Sequence, residues 1–402
     1  MACFLGVMPT EIASMQNETS REVASVVRDH GPIGRAQIAR RLKLSASTVG
    51  RTVDRLIAQG ILSELGPQRG SGSGRPSTLL CFNSEIASVL VADLRLTEAY
   101  VVRTDLGGNL LRSAVRPRGE GDTPLSLTQL ITLLRQELEG IQSGPPVRAV
   151  VIGAPSVVDP EHGLVEWAPS LGWSNVPLAS LLKDELGLPV SVENDVNLAA
   201  LGEYWKGVGR GSRHMVFVSV GTGIGAGIIL DGRLYHGGSN AAGEVSYFVT
   251  DVSTLQDNAG QIGTLESRVG REGVIRMAHL LAQRYPASRL ATYIHGSEGH
   301  ILSQDIFALA LGGDPAAQVV FKETVDQLSV VMCNLSVVLD PEVVVLGGPD
   351  DWKWPSLVEA IRARIGSALL RPINLQATVL GRDAVILGGA HLALSVEGVL
   401  PV

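Results

Sequence analysis

Residues 190–247 place the strongest constraint on how this chain can fold. Their first half predicts a buried strand that runs into a helix, with Glu193, Asn194 and Asp195 at the junction. Asp and Asn at such a position can simply cap the helix. They can equally point into a cleft, because open α/β sheets bind ligands at the carboxyl ends of their strands. A carboxylate beside a carboxamide suits a polyhydroxylated ligand, since each forms directional hydrogen bonds with hydroxyls. The spacing alone leaves both interpretations open.

The second half of this stretch predicts a glycine-rich hairpin. An apolar run at residues 216–220 enters the segment 221–227, in which every second residue is glycine, and a second apolar run at 228–230 follows. Such glycines allow backbone N–H groups to approach a phosphate or a sugar closely, although the corners of β-barrels look similar. The ligand interpretation becomes much stronger with Ala242-Gly243-Glu244, which follows the hairpin.

Together, the segments ENDVNLAALGE, GTGIGAG and GRLYHGGSNAAGE closely resemble the signature of the ROK family of sugar kinases and sugar-responsive repressors. The resemblance extends from about residue 86 to the C-terminus. It implies an α/β fold, namely a two-lobed actin-like ATPase (ribonuclease H-like) domain with a sugar in the cleft between its lobes. The sugar-contacting positions that it implies are Asn194, Asp195, Glu244, Tyr247 and Glu266. Tyr247 stands where the family has a smaller histidine, so the expected sugar is smaller or differently oriented, for example a pentose.

The nucleotide motif of the family is altered in this chain. In the ROK kinases a first hairpin carries Asp-x-Gly-Gly-Thr, whose glycines leave room for the phosphates of ATP. The matching segment here is Asp93-Leu94-Arg95-Leu96-Thr97, in which arginine and leucine replace both glycines. We therefore expect no nucleotide cofactor, no catalytic residues and no kinase activity.

The structural zinc site of the family is altered as well. The family holds this zinc through a histidine and the three cysteines of CxCGxxGCLE. The equivalent positions here are Tyr247, Asp257, Ala259 and Thr264. No thiolate or imidazole is left to bind zinc tetrahedrally, so no metal is expected. Gly260, Gly263 and Glu266 persist, which predicts that the backbone path survives without the metal.

Two further positions near the expected cleft differ from the family or stay ambiguous. The chain has Pro155-Ser156 where the family usually has Pro-Gly, so the edge of the cleft is expected to be altered. Trp173, in a loop that resembles the sugar-proximal loop of the family, could stack on a sugar face or belong to the core.

The N-terminal region predicts a separate, basic module. Residues 18–82 carry 10 Lys and Arg against 5 Asp and Glu, a net charge of +5, while the whole chain carries −7. Helices are predicted at residues 20–30, 35–42 and 46–59, followed by strands at 61–65 and 78–82 around a flexible basic loop. This order resembles the MarR-like winged helix-turn-helix that precedes ROK repressors. The expected DNA-binding residues are Ser45, Ser47, Thr48, Arg51 and Arg55 in the recognition helix and its cap, and Arg69 and Arg75 in the wing.

Length and composition divide the chain into three parts. We expect a flexible N-terminus at residues 1–19, a winged helix-turn-helix at 20–82 and the ROK sugar-binding domain at 83–402. The three cysteines are scattered and have neither disulfide nor metal-binding spacing, which favours a reducing cytoplasm. The longest uncharged run, 215–230, is broken by glycines and too short to cross a bilayer.

Three functions are compatible with these features. The first is a sugar-responsive repressor that binds double-stranded operator DNA as a homodimer or a dimer of dimers, with a sugar or sugar phosphate as effector. The second is an ATP-dependent sugar kinase with Asp195 as general base. The third is a DNA-tethered protein whose empty cleft binds no small molecule and whose surface binds a partner protein. The winged helix and the lost glycines favour the first over the second. The retained carboxylates favour it over the third, because buried carboxylates without a ligand cost stability.

Overall fold

The computed structural model describes residues 9–68, 77–95, 98–117, 126–140, 143–252, 263–297, 300–349, 353–396 and 399–400. A winged helix-turn-helix occupies the N-terminal part. Its helices are α1 (Pro9–His30), α2 (Arg35–Leu42) and α3 (Ala46–Ala58), and its strands are β1 (Ile33–Gly34), β2 (Leu62–Gln68) and β3 (Ser77–Phe82). The three strands form an antiparallel sheet in the order β1-β3-β2.

The first helix differs from its prediction. It begins at Pro9, so residues 9–19, which we expected to be flexible, are helical. The periodicity of apolar residues could not place this start, because the pattern becomes regular only from the buried Ser20 and Val23 onward. Helices α2 and α3 lie where the sequence predicted them, and their buried residues Ile38, Val49, Val53 and Leu56 form the core of the module.

The first lobe of the larger domain is built on a five-stranded sheet. Strands β4 (Ser88–Leu94), β5 (Glu98–Asp105) and β6 (Leu110–Pro117) form an antiparallel meander. Helix α4 (Leu127–Glu139) leads to β7 (Val147–Ala154), which runs parallel to β4. Three short strands, β8 (Val157–Asp159), β9 (Leu164–Ala168) and β10 (Trp173–Val176), form a side sheet before α5 (Leu178–Leu186) and β11 (Val190–Asn194). The order of the main sheet is β11-β7-β4-β5-β6.

The second lobe repeats this arrangement. After α6 (Asp195–Lys206), strands β12 (Met215–Val220), β13 (Ile224–Leu230) and β14 (Arg233–Leu234) form an antiparallel meander. Five helices follow: α7 (Thr264–Val269), α8 (Arg271–Arg284), α9 (Arg289–Gly296), α10 (Ser303–Leu311) and α11 (Pro315–Leu339). Strands β15 (Val343–Gly347) and β16 (Leu375–Ala377) flank α12 (Trp354–Ile365) and add to β12 in parallel. The order β14-β13-β12-β15-β16 is that of the first sheet, with three antiparallel strands followed by two parallel ones.

Two helices join the lobes by crossing between them. Helix α6 follows the last strand of the first sheet but packs against β12 and β13 of the second. The final helix, α13 (Asp383–Ala393), follows the last strand of the second sheet but packs against β4 and β7 of the first. The cleft between the lobes therefore begins where β11 passes into α6. No helix in the described part of the chain is long and apolar enough to cross a membrane.

Candidate functional site

Asn194 and Asp195 lie at the β11–α6 junction, on the floor of the cleft. Asn194 is the N-cap of α6, and its Oδ1 accepts a hydrogen bond of 2.9 Å from the N–H of Asn197. Its Nδ2 also donates to the carbonyl oxygen of Ser156 over 3.0 Å. A carboxamide has two donor hydrogens and two acceptor lone pairs, so one of each remains for a ligand. Asn194 thus serves as a cap and still has groups for binding.

Glu193, a buried carboxylate that does not line the cavity, stabilises the junction through hydrogen bonds. Its Oε1 accepts hydrogen bonds of 2.9 Å from the Asn194 N–H and from Asn197 Nδ2. His236, from the loop after β14, lies 2.8 Å away through Nε2, and this pairing raises the pKa of His236. The His-Glu contact ties the loop that leads to Glu244 to the junction itself. The sequence placed Glu193 beside the ligand positions, and the structure gives it a supporting place.

A cavity of about 330 Å³ lies between the lobes above this junction. All five of the positions implied by the family resemblance line it, namely Asn194, Asp195, Glu244, Tyr247 and Glu266. They come from three segments that are distant in sequence: the start of α6, the turn after Gly243 and the start of α7. The fold therefore brings the predicted residues together around one space.

The cavity is acidic, and its carboxyl groups have raised pKa values. Burial, together with the carboxyls of Asp93 and Glu244, raises the pKa of Asp195 to about 7, against the N–H of Val196 and the Arg95 guanidinium, which lower it. Burial and the neighbouring Glu266 raise the pKa of Glu244, and burial raises that of Glu266. Buried carboxyls of this kind suit a neutral ligand whose hydroxyls can donate to them.

The hairpin glycines have packing roles. A Cβ on Gly227 would lie 2.4 Å from the Cβ of Ala200 in α6, and one on Gly225 would lie 3.1 Å from the side chain of Val196. A Cβ on Gly223 would lie 3.0 Å from Oε2 of Glu266, which also accepts a hydrogen bond from the N–H of Ile224. We expected these glycines to open the backbone to a ligand. Gly221, Gly223 and Gly225 line the cavity. Gly225 and Gly227 in addition leave room for α6, and Gly223 leaves room for the carboxylate of Glu266.

The segment that replaces the ATP motif carries a charged side chain into the cleft. Arg95 lines the cavity and donates to Asp93 over 2.6 Å, with Glu98 3.5 Å away on its other side. Arg382 pairs with the same Glu98 at 2.8 Å and stacks on Tyr100 at 4.3 Å. In the kinases a glycine at the Arg95 position leaves this space to phosphates. The residues present here do not fit that use, and Leu96 and Thr97 lie outside the described residues.

The positions of the family's zinc ligands do not fit a metal either. Tyr247 lies at the cavity wall, and the hydroxyl of Thr264 donates to the carbonyl oxygen of Phe248 over 3.3 Å. Asp257 and Ala259 lie outside the described residues. Zinc in structural sites is bound by thiolates and imidazoles, and none of these four residue types supplies either. Gly263 still approaches the backbone of Ser246 closely, since a Cβ there would lie 2.0 Å from its carbonyl oxygen.

The sequence left the place of one tryptophan open and did not identify three residues that line the cavity as binding residues. Trp173 packs against the apolar core of the first lobe, so the core alternative describes it correctly. Trp167 of β9, which is 38% exposed, lines the cavity instead. Ser156 and Ser170 also line the cavity, and their hydroxyl oxygens are buried without a hydrogen-bond partner. For Ser156, the Pro-Ser in place of Pro-Gly was the signal, but its consequence needed the three-dimensional neighbourhood.

The recognition helix α3 presents a polar, exposed N-terminus. Ser45 caps it, accepting a hydrogen bond of 3.1 Å from the Thr48 N–H, and its Oγ lies 2.9 Å from that of Ser47. Ser45, Ser47 and Arg51 are exposed, and Thr48 is half-buried. This leaves small hydroxyls and one arginine available to a DNA groove.

The structure favours a different role for Arg55 from the one that the sequence predicted. Arg55 is half-buried and donates through Nη2 to the hydroxyl of Ser20 in α1. Ser20 is fully buried, so this contact turns the guanidinium toward the core of the module and away from the exposed face. The physical reason is its position one turn after Arg51, where the helix surface already meets α1. Arg69 and Arg75 of the wing lie outside the described residues.

The structure thus defines a winged helix-turn-helix joined to a two-lobed actin-like domain with an acidic cavity between the lobes. Residues 94–396 match the ROK family, and residues 16–63 match the winged helix-turn-helix DNA-binding domain family. The chain belongs to the ROK family.

Similar proteins include both repressors and kinases. A xylose repressor from Caldicellulosiruptor bescii is 26% identical over 379 residues, covering 93% of this chain and 94% of the repressor. A glucokinase from Halalkalibacterium halodurans is 28% identical over 321 residues, covering 75% of this chain and 97% of the kinase. The repressor match therefore includes the N-terminal module, whereas the kinase match leaves a quarter of this chain uncovered.

Solved structures show the same division. A ROK family transcriptional regulator, a homolog of the E. coli MLC protein, aligns with a TM-score of 0.78 at 23% identity, over 94% of this chain and 96% of its own. A ROK glucokinase from Streptomyces griseus, in complex with glucose and AMPPNP, aligns with a TM-score of 0.67 at 28% identity, over 76% and 99% of the two chains.

Proposed function

We propose that this protein is a sugar-responsive, DNA-binding transcriptional repressor without enzymatic activity. The observation that carries the proposal is the presence in one chain of an exposed recognition helix and an acidic cavity between the lobes, lined by Asn194, Asp195, Glu244 and Glu266. The cavity takes a neutral sugar, whose hydroxyls hydrogen-bond to these groups. Operator DNA is bound by a homodimer, because one recognition helix contacts too few bases for useful specificity.

A pentose is the first effector to test. The phenol of Tyr247 occupies more of the cavity than the family's histidine, which reduces the room for a hexose with its extra hydroxymethyl group. Two relatives that cover most of this chain are named as xylose repressors, which agrees with a five-carbon sugar. D-xylose, D-glucose, N-acetylglucosamine and their 6- or 5-phosphates form a sufficient panel.

The test combines DNA selection with sugar addition. A duplex is enriched from a randomised pool by the wild-type protein, and its dissociation constant is measured with and without each sugar. We expect one sugar to change the affinity, and we expect Asp195→Ala and Glu244→Ala to abolish that response while DNA binding without sugar stays intact. If both variants respond as wild type does, the effector site lies elsewhere. If no sugar binds at all, the cleft is empty and the protein acts through a partner.

Sugar kinase activity is the second candidate. It is favoured by the pKa of Asp195 near 7, which suits a general base at neutral pH, and by the glucokinase relatives. The Asp93–Arg95 pair opposes it, because it takes the space that phosphates need. We expect no ADP release with hexoses or pentoses in a coupled assay. Turnover that disappears in Asp195→Asn would establish the kinase function instead.

A further inference from the structure

The helix that begins in the cavity ends against the DNA-binding module. Helix α6 starts at Asp195, inside the cavity, and its last two residues are Trp205 and Lys206. Its 12 residues span about 18 Å at 1.5 Å per residue. Trp205 is 5% exposed, although it lies at the end of the helix. Leu387 and Ala390 of α13 pack against it, and a further contact comes from the winged helix-turn-helix.

Arg28, in the last turn of α1, makes this contact. Its side chain is 2% exposed, its guanidinium carbon lies 4.4 Å from the centre of the Trp205 ring, and Asp29 pairs with it at 2.7 Å. Its Nη2 lies 2.7 Å from Nδ1 of His391 in α13, and its Nη1 lies 3.4 Å from the carbonyl oxygen of the same residue. One arginine therefore touches the ends of both helices that cross between the lobes.

The chemistry of this contact is directional. An arginine only donates hydrogen bonds, so Nδ1 of His391 must be the acceptor and its ring must be neutral. Burial and the neighbouring guanidinium lower the pKa of His391 to about 3, which keeps the ring neutral at physiological pH. The planar guanidinium of Arg28, the Trp205 ring and Nδ1 of His391 each have a preferred direction of contact. The contact therefore fixes an angle between α1 and the two helices as well as a distance.

Helices α6 and α13 are packed so closely that they shift together. A Cβ on Gly202 of α6 would lie 2.0 Å from the carbonyl oxygen of Ala384, and a Cβ on Gly388 of α13 would lie 1.8 Å from that of Leu198. Backbone lies directly on backbone at both points. A displacement at the start of α6 is therefore carried to its end as a movement of the pair, since packed cores are not continuously deformable.

We propose that Arg28 is a positioning residue that couples the sugar cavity to the orientation of the DNA-binding module. Sugar binding at the N-terminus of α6 displaces the α6–α13 pair, and Arg28 transmits this displacement to α1. This inference rests on the proposed function, because it assigns the route by which the same cavity acts on DNA affinity. A coupling free energy between two such sites changes the affinity by about 5- to 150-fold.

The experiment measures this coupling directly. Wild type, Arg28→Gln, Arg28→Lys and the control Arg135→Gln are compared, using the DNA duplex and the sugar that wild type selects in the experiment above. Arg135 is a half-exposed arginine of the first lobe that pairs with Glu185, so its removal deletes one arginine far from α1. Sugar affinity, duplex affinity with and without sugar, and the thermal unfolding midpoint are recorded for each protein.

We expect Arg28→Gln to bind both sugar and duplex, but its duplex affinity should change less than about twofold on sugar addition, whereas Arg135→Gln keeps the wild-type factor. Arg28→Lys keeps the charge without the planar guanidinium, so we expect its duplex affinity to change on sugar addition by a factor between those of Arg28→Gln and wild type. If Arg28→Gln does not fold, the result for Arg28→Lys tests the inference. An unchanged factor in the Arg28 variants, or an equal loss in Arg135→Gln, overturns the inference and leaves the proposed function standing. If no sugar changes the duplex affinity of wild type, both the inference on Arg28 and the proposed function are wrong.

Discussion

At the scale of single residues, the cavity contains buried polar groups that are energetically unfavourable without a ligand. Asp195, Glu244 and Glu266 have pKa values raised chiefly by burial, and the hydroxyls of two serines that line the cavity, Ser156 and Ser170, have no hydrogen-bond partner. Each of these groups costs stability in the ligand-free protein, and a sugar hydroxyl can satisfy each of them. Binding sites commonly lose folding stability because they keep polar groups free for a ligand, and removing one of these groups makes that loss measurable.

Asp195→Asn should stabilise the protein, and the gain should depend on pH. The unfolded carboxyl ionises near pH 3.8, whereas the folded one holds its proton until about pH 7. Between these values the unfolded chain binds fewer protons, so wild type loses stability as pH rises, by the order of a few kcal/mol. Asparagine does not titrate, so its advantage should grow from pH 4 to about pH 7 and then level off. Thermal or urea unfolding across this range measures it.

The exposed Asp231 supplies the control. It pairs with Arg213 on the surface, and its positive φ of 52° suits asparagine equally well. Asp231→Asn makes the same substitution at the surface, so the pH dependence of Asp195→Asn is compared with it. An advantage of Asp195→Asn that is constant across the same pH range would mean that its carboxyl titrates normally in the folded protein.

Ser156→Ala should weaken effector binding without destabilising the ligand-free protein. The Ser156 hydroxyl is buried at the cavity wall and has no partner to lose in the ligand-free state. A hydrogen bond to the sugar would contribute about 0.5–1.5 kcal/mol, so Kd should rise roughly two- to tenfold. Ser303→Ala is the matched control, because that hydroxyl is equally buried and unpartnered but does not line the cavity. Calorimetry showing equal affinity for both variants would remove Ser156 from the binding site.

At the scale of elements, the contact between α6 and the β12–β13 hairpin sets the position of the binding residues. Gly227 lets α6 lie directly on β13, and α6 carries Asp195 at its first residue. The hairpin also leads toward the segment of Glu244, whose neighbour Gly243 has a φ of +92° and approaches the carbonyl oxygen of Ala226. The geometry of the cavity thus depends on close packing beside it.

Gly227→Ala should therefore damage both stability and sugar binding. The added Cβ would lie 2.4 Å from Ala200 and 2.8 Å from the carbonyl oxygen of Val196, so α6 must move. Overpacking of this kind costs about 1–3 kcal/mol. Gly238→Ala, which meets nothing within 4 Å, is the control. Denaturant unfolding measures the cost, and a Gly227→Ala protein as stable as the control would contradict the packing role.

Arg51→Ala should weaken binding to the selected duplex without affecting the sugar cavity. Arg51 is exposed on α3, and a bidentate contact with guanine would contribute about 1–3 kcal/mol. Arg284→Ala, an exposed arginine at the end of α8, controls for the loss of one positive charge. Fluorescence anisotropy with a labelled duplex gives both affinities. Equal affinities would argue against α3 as the recognition helix.

At the scale of the whole molecule, charge is divided between the two functions. Residues 18–82 carry +5, and the rest of the chain carries −12, so only the small module attracts a polyanion. One such module reads one half-site. We expect two chains per selected duplex, with half-sites separated by about one helical turn or a multiple of it. Light scattering of the complex gives the stoichiometry, and a complex of one chain per duplex would contradict the dimer.

The sequence by itself determined the features that local chemistry controls. Helices α2 and α3 lie within the predicted bounds, because apolar periodicity, glycine stops and the Ser45 cap act over a few residues. The family motifs also identified five residues that the fold gathers around one cavity.

Tertiary structure alone decided which face of each element meets another. It turned Arg55 inward, used Gly225 and Gly227 for packing, chose Trp167 over Trp173 for the cavity and set Arg28 on Trp205 and His391. These outcomes depend on contacts between segments far apart in the chain. Apolar periodicity shows which face of an element is buried, but it does not show which distant segment packs against that face.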